Sequence, residues 1–185
     1  DDKLIRVERL LNLDPESQLI ASILAKKLAV GSKYVLIDIP YGNGAKVSRE
    51  KAERLKYKFL KVGTYFGLKI RVILTDGSQP IGSGIGPLLE IQDVLKVLKR
   101  ENPPIDLENK SVYIASQILE MAGIAKKGEG EQLAIDILNS KKAYHKFEQI
   151  ISAQGKKDYN LKNGKYTKTL KAKRSGKIRL INNHY

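Results

Sequence analysis

The spacing of apolar residues predicts alternating helices and strands in the first half of the chain. A helix is expected from Asp14 to about Val30, because Asp-Pro is a typical helix start and Gly31-Ser32 ends the pattern. The run from Tyr34 to Pro40 is almost wholly apolar, as expected for a parallel strand covered on both faces. A helix capped by Ser48 follows, and a second strand spans Lys69 to Thr75. The helix between the strands carries an apolar stripe at helical spacing: Leu55, Phe59, Val62 and Phe66. Leu55, Phe59 and Phe66 of this stripe are assigned to the core. Strand, helix and strand in this order predict a right-handed βαβ unit.

The second half of the chain is predicted to be mostly helical. Pro87 begins a helix that reaches Arg100, and Asn102-Pro103-Pro104 then interrupts the chain. Two long amphipathic helices are expected from Leu107 to Ala125 and from Gly130 to Gln154. After Gly155 the composition shifts to Lys, Asn, Thr and Tyr in β-like alternation. The fold class predicted is α/β, with a mostly parallel sheet flanked by helices.

Three regions are predicted along the chain. Residues 1–30 are assigned to a separate helical domain, residues 31–157 to the core of the α/β domain, and residues 158–185 to the start of a β-rich part. A solvent-exposed strand carrying Leu36 and Ile39 would contradict the α/β assignment.

The composition excludes several kinds of site. The 185 residues include no cysteine, so disulfides and thiolate metal sites are ruled out. The two histidines, His145 and His184, have no partner at ligand spacing, and neither a metal nor a cofactor is expected. No apolar run approaches the roughly 20 residues that cross a membrane, which predicts a soluble, cytoplasmic protein without a membrane partner. Abundant Lys and Glu without Cys are also typical of a thermophile.

The net charge of +14 raises the possibility of a nucleic-acid-binding module. The lysines are spread between Glu and Asp along the helices, and only the tail KYTKTLKAKRSGK is a dense basic run. Aromatic residues are not interleaved with that run as a stacking platform would require. No nucleic acid is therefore expected as a partner, and a binding module remains the alternative of a different class.

The most informative polar residues lie near the start of the chain. Ser22 and Lys26 are four residues apart, so a hydroxyl and an ammonium share one helix face, where they can hydrogen-bond a polar ring or an anion. The first strand leads into Gly42-Asn43-Gly44, where the backbone can approach a ligand closely before Lys46. The alternatives are an ordinary helix serine and solvated lysines. Asp14 has a structural explanation too, as a helix cap.

The segment GSQPIGSGIGP, residues 77–87, lies between a strand and a helix as a dinucleotide-binding loop would. The glycine spacing does not match G-x-G-x-x-G, and no acid lies at the distance that ribose binding requires. The segment is interpreted as a structural loop. His145, on the face of a long helix, is interpreted as an ordinary exposed residue.

Three motifs together resemble the thymidine phosphorylase superfamily: ASILAKKLA, IDIPYGNGAK and TDGSQPIGSGIGPLLEIQDVLKVL. The archaeal branch of that superfamily, the AMP phosphorylases, is the most similar, and the resemblance runs through essentially all 185 residues. The chain lacks the upstream KHS-type glycine loop that holds inorganic phosphate in the family, and it ends at RSGKIRLINNHY. The expectation is an internal fragment of a longer enzyme, inactive or nearly so by itself.

The resemblance assigns roles to individual residues. Asp14 matches the proton donor of AMP phosphorylases, and Ser22 and Lys26 match residues that contact the nucleobase. Arg6 is a candidate third base contact, although the loop between it and Asp14 is one residue longer here. Lys46 stands where thymidine phosphorylases have a Phe, and the archaeal AMP phosphorylases share the Lys, which implies recognition of a 5′-phosphate.

The activity that the resemblance implies is phosphorolysis of AMP, with CMP and UMP as possible further substrates. Inorganic phosphate is the co-substrate, no cofactor is needed, and the products are the free base and ribose 1,5-bisphosphate. A homo-oligomer, dimeric or larger, is expected. The alternative within the class is a thymidine or pyrimidine nucleoside phosphorylase.

Overall fold

The computed structural model describes residues 2–11, 15–156 and 164–182. These residues divide into two compact units, with the boundary between Ser78 and Gln79. The elements, in chain order, are α1 (Asp2–Leu10), α2 (Glu16–Ala29), β1 (Tyr34–Tyr41), α3 (Arg49–Tyr65), β2 (Lys69–Asp76), α4 (Pro87–Lys99), α5 (Ile105–Met121), α6 (Gly130–Asn139) and α7 (Lys142–Ala153).

The first unit contains the predicted parallel pair of strands. β1 and β2 pair in parallel from Tyr34 opposite Lys69 to Tyr41 opposite Asp76, and α3 connects them. Leu36 is half-buried and Ile39 is buried, so the strand is not solvent-exposed at either residue. The α/β class with a parallel sheet is therefore confirmed.

One hydrophobic core holds α2 and α3 against the sheet of this unit. The side chains of Leu24, Leu55 and Phe59 are almost completely buried. They share a cluster with Val35 and Ile37. These two residues lie on the same face of β1, because side chains two positions apart along a strand point to the same side. Burial of each large apolar side chain contributes about 1.5–3 kcal/mol. Because Leu24 belongs to α2, this helix packs directly against the βαβ unit, and a separate helical domain for residues 1–30 remains a prediction.

The helix between the strands begins as predicted and ends earlier than its apolar stripe suggested. The Ser48 hydroxyl accepts a hydrogen bond from the Lys51 backbone N–H at 3.3 Å, which caps α3. Leu55 and Phe59 of the stripe are buried. Phe66 is 54% exposed, so its assignment to the core was wrong. The reason is that α3 ends at Tyr65 and the side chain of Phe66 lies beyond the buried turns.

The second unit is helical, and its core lies between α4, α5 and α6. Val97, Val112, Ala134 and Leu138 form the buried cluster. The single long helix predicted from Gly130 to Gln154 is wrong, because Lys141 adopts a left-handed conformation (φ 58°) that separates α6 from α7. The break lets Ala143 of α7 pack against the same cluster as Leu138.

Helix α1 and residues 164–182 both carry exposed apolar side chains. Helix α1 was not predicted, and its apolar residues Val7 and Leu10 are exposed. Residues 164–182 are exposed and contain neither helix nor strand. The β-rich part that is predicted to start at residue 158 remains a prediction. Within the described ranges, no helix combines the length and the apolar character that a membrane crossing demands.

Candidate active site

A tight glycine turn follows β1 and carries the chain into α3. Gly42 (φ 139°) and Gly44 (φ 79°) adopt conformations that residues with a side chain rarely reach. The Gly42 N–H donates to the Val47 carbonyl at 3.2 Å, and the Ala45 N–H donates to the Gly42 carbonyl at 3.2 Å. Lys46 stands at the end of this hydrogen-bonded turn with an exposed side chain.

The loop that follows β2 packs against this turn. The Gly77 N–H donates to the Tyr41 carbonyl at 2.8 Å, and the Ser78 N–H donates to the Asp76 carboxylate at 2.8 Å. A Cβ atom placed on Gly77 would lie 2.8 Å from the Pro40 Cβ and 3.2 Å from the Ala45 Cβ. The two loops therefore meet closely at the carboxyl ends of the parallel strands, the edge at which α/β proteins bind ligands.

A carboxylate that the sequence analysis did not single out lies between the two strands. Asp38 is half-buried, on the face of β1 opposite the core residues Ile37 and Ile39. Its Oδ1 accepts a hydrogen bond of 2.8 Å from the hydroxyl of Thr75 on β2. The signal in the sequence is one acid within the apolar run YVLIDIPY. The contact ties the strands together four residues before Gly42, where the glycine turn starts.

Helix α2 carries the predicted base-binding pair and is attached to α3 at its first turn. Ser22 is half-buried and Lys26 is exposed. Lys26 lies two residues after the buried Leu24, or about 200° around the helix, so it points away from the core. Ser22, one turn earlier, shares the outer side of α2 with Lys26.

Glu16 provides the polar attachment of this helix. Its carboxylate accepts hydrogen bonds from Lys58 and from Arg54, the latter at 3.1 Å, and both donors belong to α3. The Lys58 ammonium, followed by the Arg54 guanidinium, lowers the pKa of the Glu16 carboxyl below its ordinary value. The sequence analysis missed this contact, because its partners are separated by about forty residues.

The predicted site residues are carried by different elements of the first unit. Ser22 and Lys26 belong to α2, Lys46 follows β1, and Arg6 is an exposed residue of α1. Asp14 lies outside the described residues. The functional roles of all five remain predictions.

The glycine loop in the second unit is organised by a buried acid. Asp93 on α4 is 3% exposed, and its Oδ2 accepts hydrogen bonds of 2.7 Å from both the Ser83 and the Gly84 N–H. Its Oδ1 accepts a hydrogen bond from the Lys96 ammonium at 3.0 Å. The Lys96 ammonium and then the two loop amides lower the pKa of the Asp93 carboxyl. Because two loop amides are already bonded to a carboxylate, they are not arranged to bind a phosphate.

Neither His145 nor the acidic side chains form a metal site among the described residues. His145 is exposed on α7, and its ring lies 5.9 Å from the ring of Tyr144. Among the residues that the structure describes, no three acidic or histidine side chains cluster closely enough to hold a metal ion. The expectation that the protein uses neither metal nor cofactor stays a prediction.

Known proteins resemble this chain along most of its length. A protein of Parvibaculum lavamentivorans named "Putative thymidine phosphorylase" is 48% identical over 157 residues, which cover 84% of this chain and 31% of that protein. A protein of Methylococcus capsulatus with the same name is 43% identical over 187 residues, covering 100% of this chain and 36% of that protein. The chain is therefore similar in sequence to a segment of proteins that carry the name thymidine phosphorylase.

An archaeal relative carries the other name. The AMP phosphorylase of Methanococcus maripaludis is 43% identical over 188 residues, covering 99% of this chain and 37% of that protein. No family model matches the chain. The chain spans about a third of the length of these curated relatives. Sequence identity alone does not choose between the two names, because both occur among relatives that match the chain over its full length.

Proposed function

We propose that this chain forms part of a pentosyltransferase that cleaves a nucleoside monophosphate with inorganic phosphate. The substrate is AMP, with CMP and UMP as further candidates, and the products are the free base and ribose 1,5-bisphosphate. The class of reaction is supported by relatives named thymidine phosphorylase and AMP phosphorylase. The substrate is supported by one feature of this chain, which is Lys46.

The position of Lys46 favours a phosphorylated substrate. It follows a turn whose two glycines adopt positive φ angles at the carboxyl edge of the sheet, and its side chain is exposed. An ammonium at this place adds a charge-assisted contact if the substrate carries a 5′-phosphate, and it adds nothing for a nucleoside that lacks one. The resemblance noted above associates a Phe at this place with thymidine phosphorylases and a Lys with AMP phosphorylases.

The other groups take roles around the glycosidic bond. In the proposal, Ser22 and Lys26 contact the nucleobase from the outer side of α2. Asp14 protonates the departing base, which develops negative charge as the bond from C1′ to the base nitrogen breaks. Phosphate then joins C1′, and no cofactor takes part. In the proposal, the phosphate-binding loop lies outside this chain, which covers about a third of the length of its curated relatives.

The proposal includes the wider organisation of the enzyme. Residues 1–30 belong to a helical domain on the base-binding side, although α2 also contributes Ile20 and Leu24 to the core of the first unit. The active enzyme is a homo-oligomer, dimeric or larger.

The second candidate is a thymidine or pyrimidine nucleoside phosphorylase. It is supported by the higher identity, 48% against 43%, to a relative with the thymidine name. The higher identity extends over 157 residues and the lower one over 188.

Substitution of Lys46 by Met in the full-length enzyme distinguishes the two candidates. A hydrogen bond to a charged group is worth about 1.5–3 kcal/mol, and each 1.4 kcal/mol is tenfold, so kcat/KM for AMP should fall about ten- to a hundredfold. Activity on adenosine should change little. The matched control is Lys142→Met, which removes an exposed lysine from α7 in the second unit and should alter neither activity.

Two results would contradict the assignment. If Lys46→Met lowers kcat/KM for AMP and adenosine equally, the lysine contacts the base or shapes the turn, and the argument for a phosphorylated substrate fails. If the unchanged enzyme releases thymine from thymidine but no base from AMP, CMP or UMP, the second candidate is correct. Asp14→Asn should depress turnover of every substrate, because it removes the acid and leaves the binding groups in place.

A further inference from the structure

The side-chain amide of Gln79 forms a bidentate contact with one residue near the end of the described chain. The Ile181 N–H donates to the Gln79 Oε1 at 2.7 Å, and the Gln79 Nε2 donates to the Ile181 carbonyl at 3.5 Å. The two residues are 102 positions apart and belong to the same compact unit. A side-chain amide thus bonds both backbone groups of Ile181, as a neighbouring strand would.

Exposure along the segment shows where it is attached. Residues 164–182, here called the C-terminal segment, have no helix or strand of their own to satisfy their backbone groups. The exposed fraction is 87% for Tyr166, 86% for Leu170 and 81% for Ile178. It falls to 41% at Ile181, the residue that Gln79 holds. Ile181 is therefore the point at which the segment touches the rest of the second unit most closely among its large apolar residues.

The attached residue also lines a cavity beside the glycine loop. Ile181 and Asn182 line a pocket of about 580 Å³, together with Ile81, Gly84 and Glu90. Asp93, which fixes the loop through its amides, lines the same pocket.

We propose that Gln79 is a positioning residue that docks the C-terminal segment beside the glycine loop, mainly through the short hydrogen bond from the Ile181 N–H. The contact joins the loop after β2 to a residue 102 positions later, and it places Ile181 in the lining of the pocket that also contains Glu90 and Asp93. This inference does not depend on the substrate or the reaction proposed above.

Amide hydrogen exchange on the full-length protein tests this docking directly. Gln79→Met keeps the length of the side chain and removes both hydrogen bonds. Because a single hydrogen bond contributes modestly, exchange of the Ile181 amide should become about three- to tenfold faster. Gln79→Glu keeps an acceptor for the Ile181 N–H and should preserve most of the protection. The control is Gln132→Met on α6, whose amide bonds only one turn along its own helix to Asp136, and it should leave Ile181 unchanged.

The location of the change decides the outcome. Faster exchange confined to peptides that cover residues 177–182, with α4 and α5 unaffected and with recovery in Gln79→Glu, supports docking by Gln79. Unchanged exchange at Ile181 in Gln79→Met overturns the proposal. So does equal acceleration in α4 and α5, which would make Gln79 a general stabilising residue, and so does a Gln79→Glu variant that exchanges as fast as Gln79→Met.

Discussion

Replacing Gly77 by Ala tests how closely the two loops pack at the carboxyl edge of the sheet. The new Cβ would lie 2.8 Å from the Pro40 Cβ, 3.2 Å from the Ala45 Cβ and 3.2 Å from the Pro40 carbonyl carbon. Gly77 does not adopt a left-handed φ, so the backbone itself accepts an alanine. The cost therefore arises from packing, because the Pro40 ring and its backbone cannot move aside as a flexible side chain would.

The expected magnitude follows from two opposing effects. Forcing an extra methyl group into a packed site costs about 1–3 kcal/mol, whereas replacing glycine reduces the entropy of the unfolded chain and returns about 0.4–1 kcal/mol. The free energy of unfolding should therefore fall by about 1–2 kcal/mol. Urea denaturation measures this as a lower midpoint with an unchanged slope. Under the proposed function, kcat/KM of the full-length enzyme for AMP should fall as well, since the contact presses on Ala45, the neighbour of Lys46.

Gly176→Ala is the matched control for this substitution. A Cβ there meets no atom within 4 Å, and the residue has no left-handed φ, so the change in stability should stay within about 0.5 kcal/mol. If Gly77→Ala is as stable as the unchanged protein, the loops separate without cost. The close packing inferred for this edge, and with it the rigid placement of Lys46, would then be refuted.

Two further predictions concern the attachment of α2 and the core beneath it. Phe59→Ala should lower the free energy of unfolding by about 3–5 kcal/mol in urea denaturation, because the Phe59 side chain is only 2% exposed. The control is Tyr65→Ala at an 84% exposed position, which should lower it by less than about 0.5 kcal/mol. Because the pKa of Glu16 is lowered, its contacts stabilise the fold fully at a pH above 4.5, the ordinary pKa of the group. This contribution disappears as the pH falls through the lowered pKa. The stability difference between the unchanged protein and Glu16→Gln, measured by thermal unfolding, should therefore shrink on acidification; a difference that grows in acid would show that the carboxylate is not stabilised by Lys58.

Local signals in the sequence determined most of the first unit. The apolar run after Gly31-Ser32 is β1, which extends one residue further than predicted, to Tyr41. Ser48 caps α3 and Pro87 begins α4, each at the predicted residue. These features are predictable because a cap, a proline and a buried strand each depend on residues within one or two turns of the chain. The parallel pairing followed because a helix between two strands leaves few other arrangements.

The division of the second unit depended on tertiary packing. Neither Ser140 nor Lys141 is a helix breaker, and nothing in the periodicity of residues 130–154 separates α6 from α7. Lys141 adopts a left-handed conformation, which costs a residue with a side chain roughly 1–2 kcal/mol. The packing of Ala143 against the cluster around Leu138 is the contact that the turn makes possible. A local pattern cannot show that such a contact will outweigh the cost of the turn.

The polar contacts within each of the two units divide in the same way. The four-residue spacing of Ser22 and Lys26 and the position of Lys46 after a glycine turn could be predicted from the sequence, because helix and turn geometry are local. The bond from Thr75 to Asp38 and the docking of Ile181 by Gln79 could not, since each joins residues that only the folded chain brings together. The sequence thus determined which chemical groups are present and on which elements they lie. The tertiary structure decided which of them meet, because a hydrogen bond depends on distances of a few tenths of an ångström that no spacing along the chain specifies.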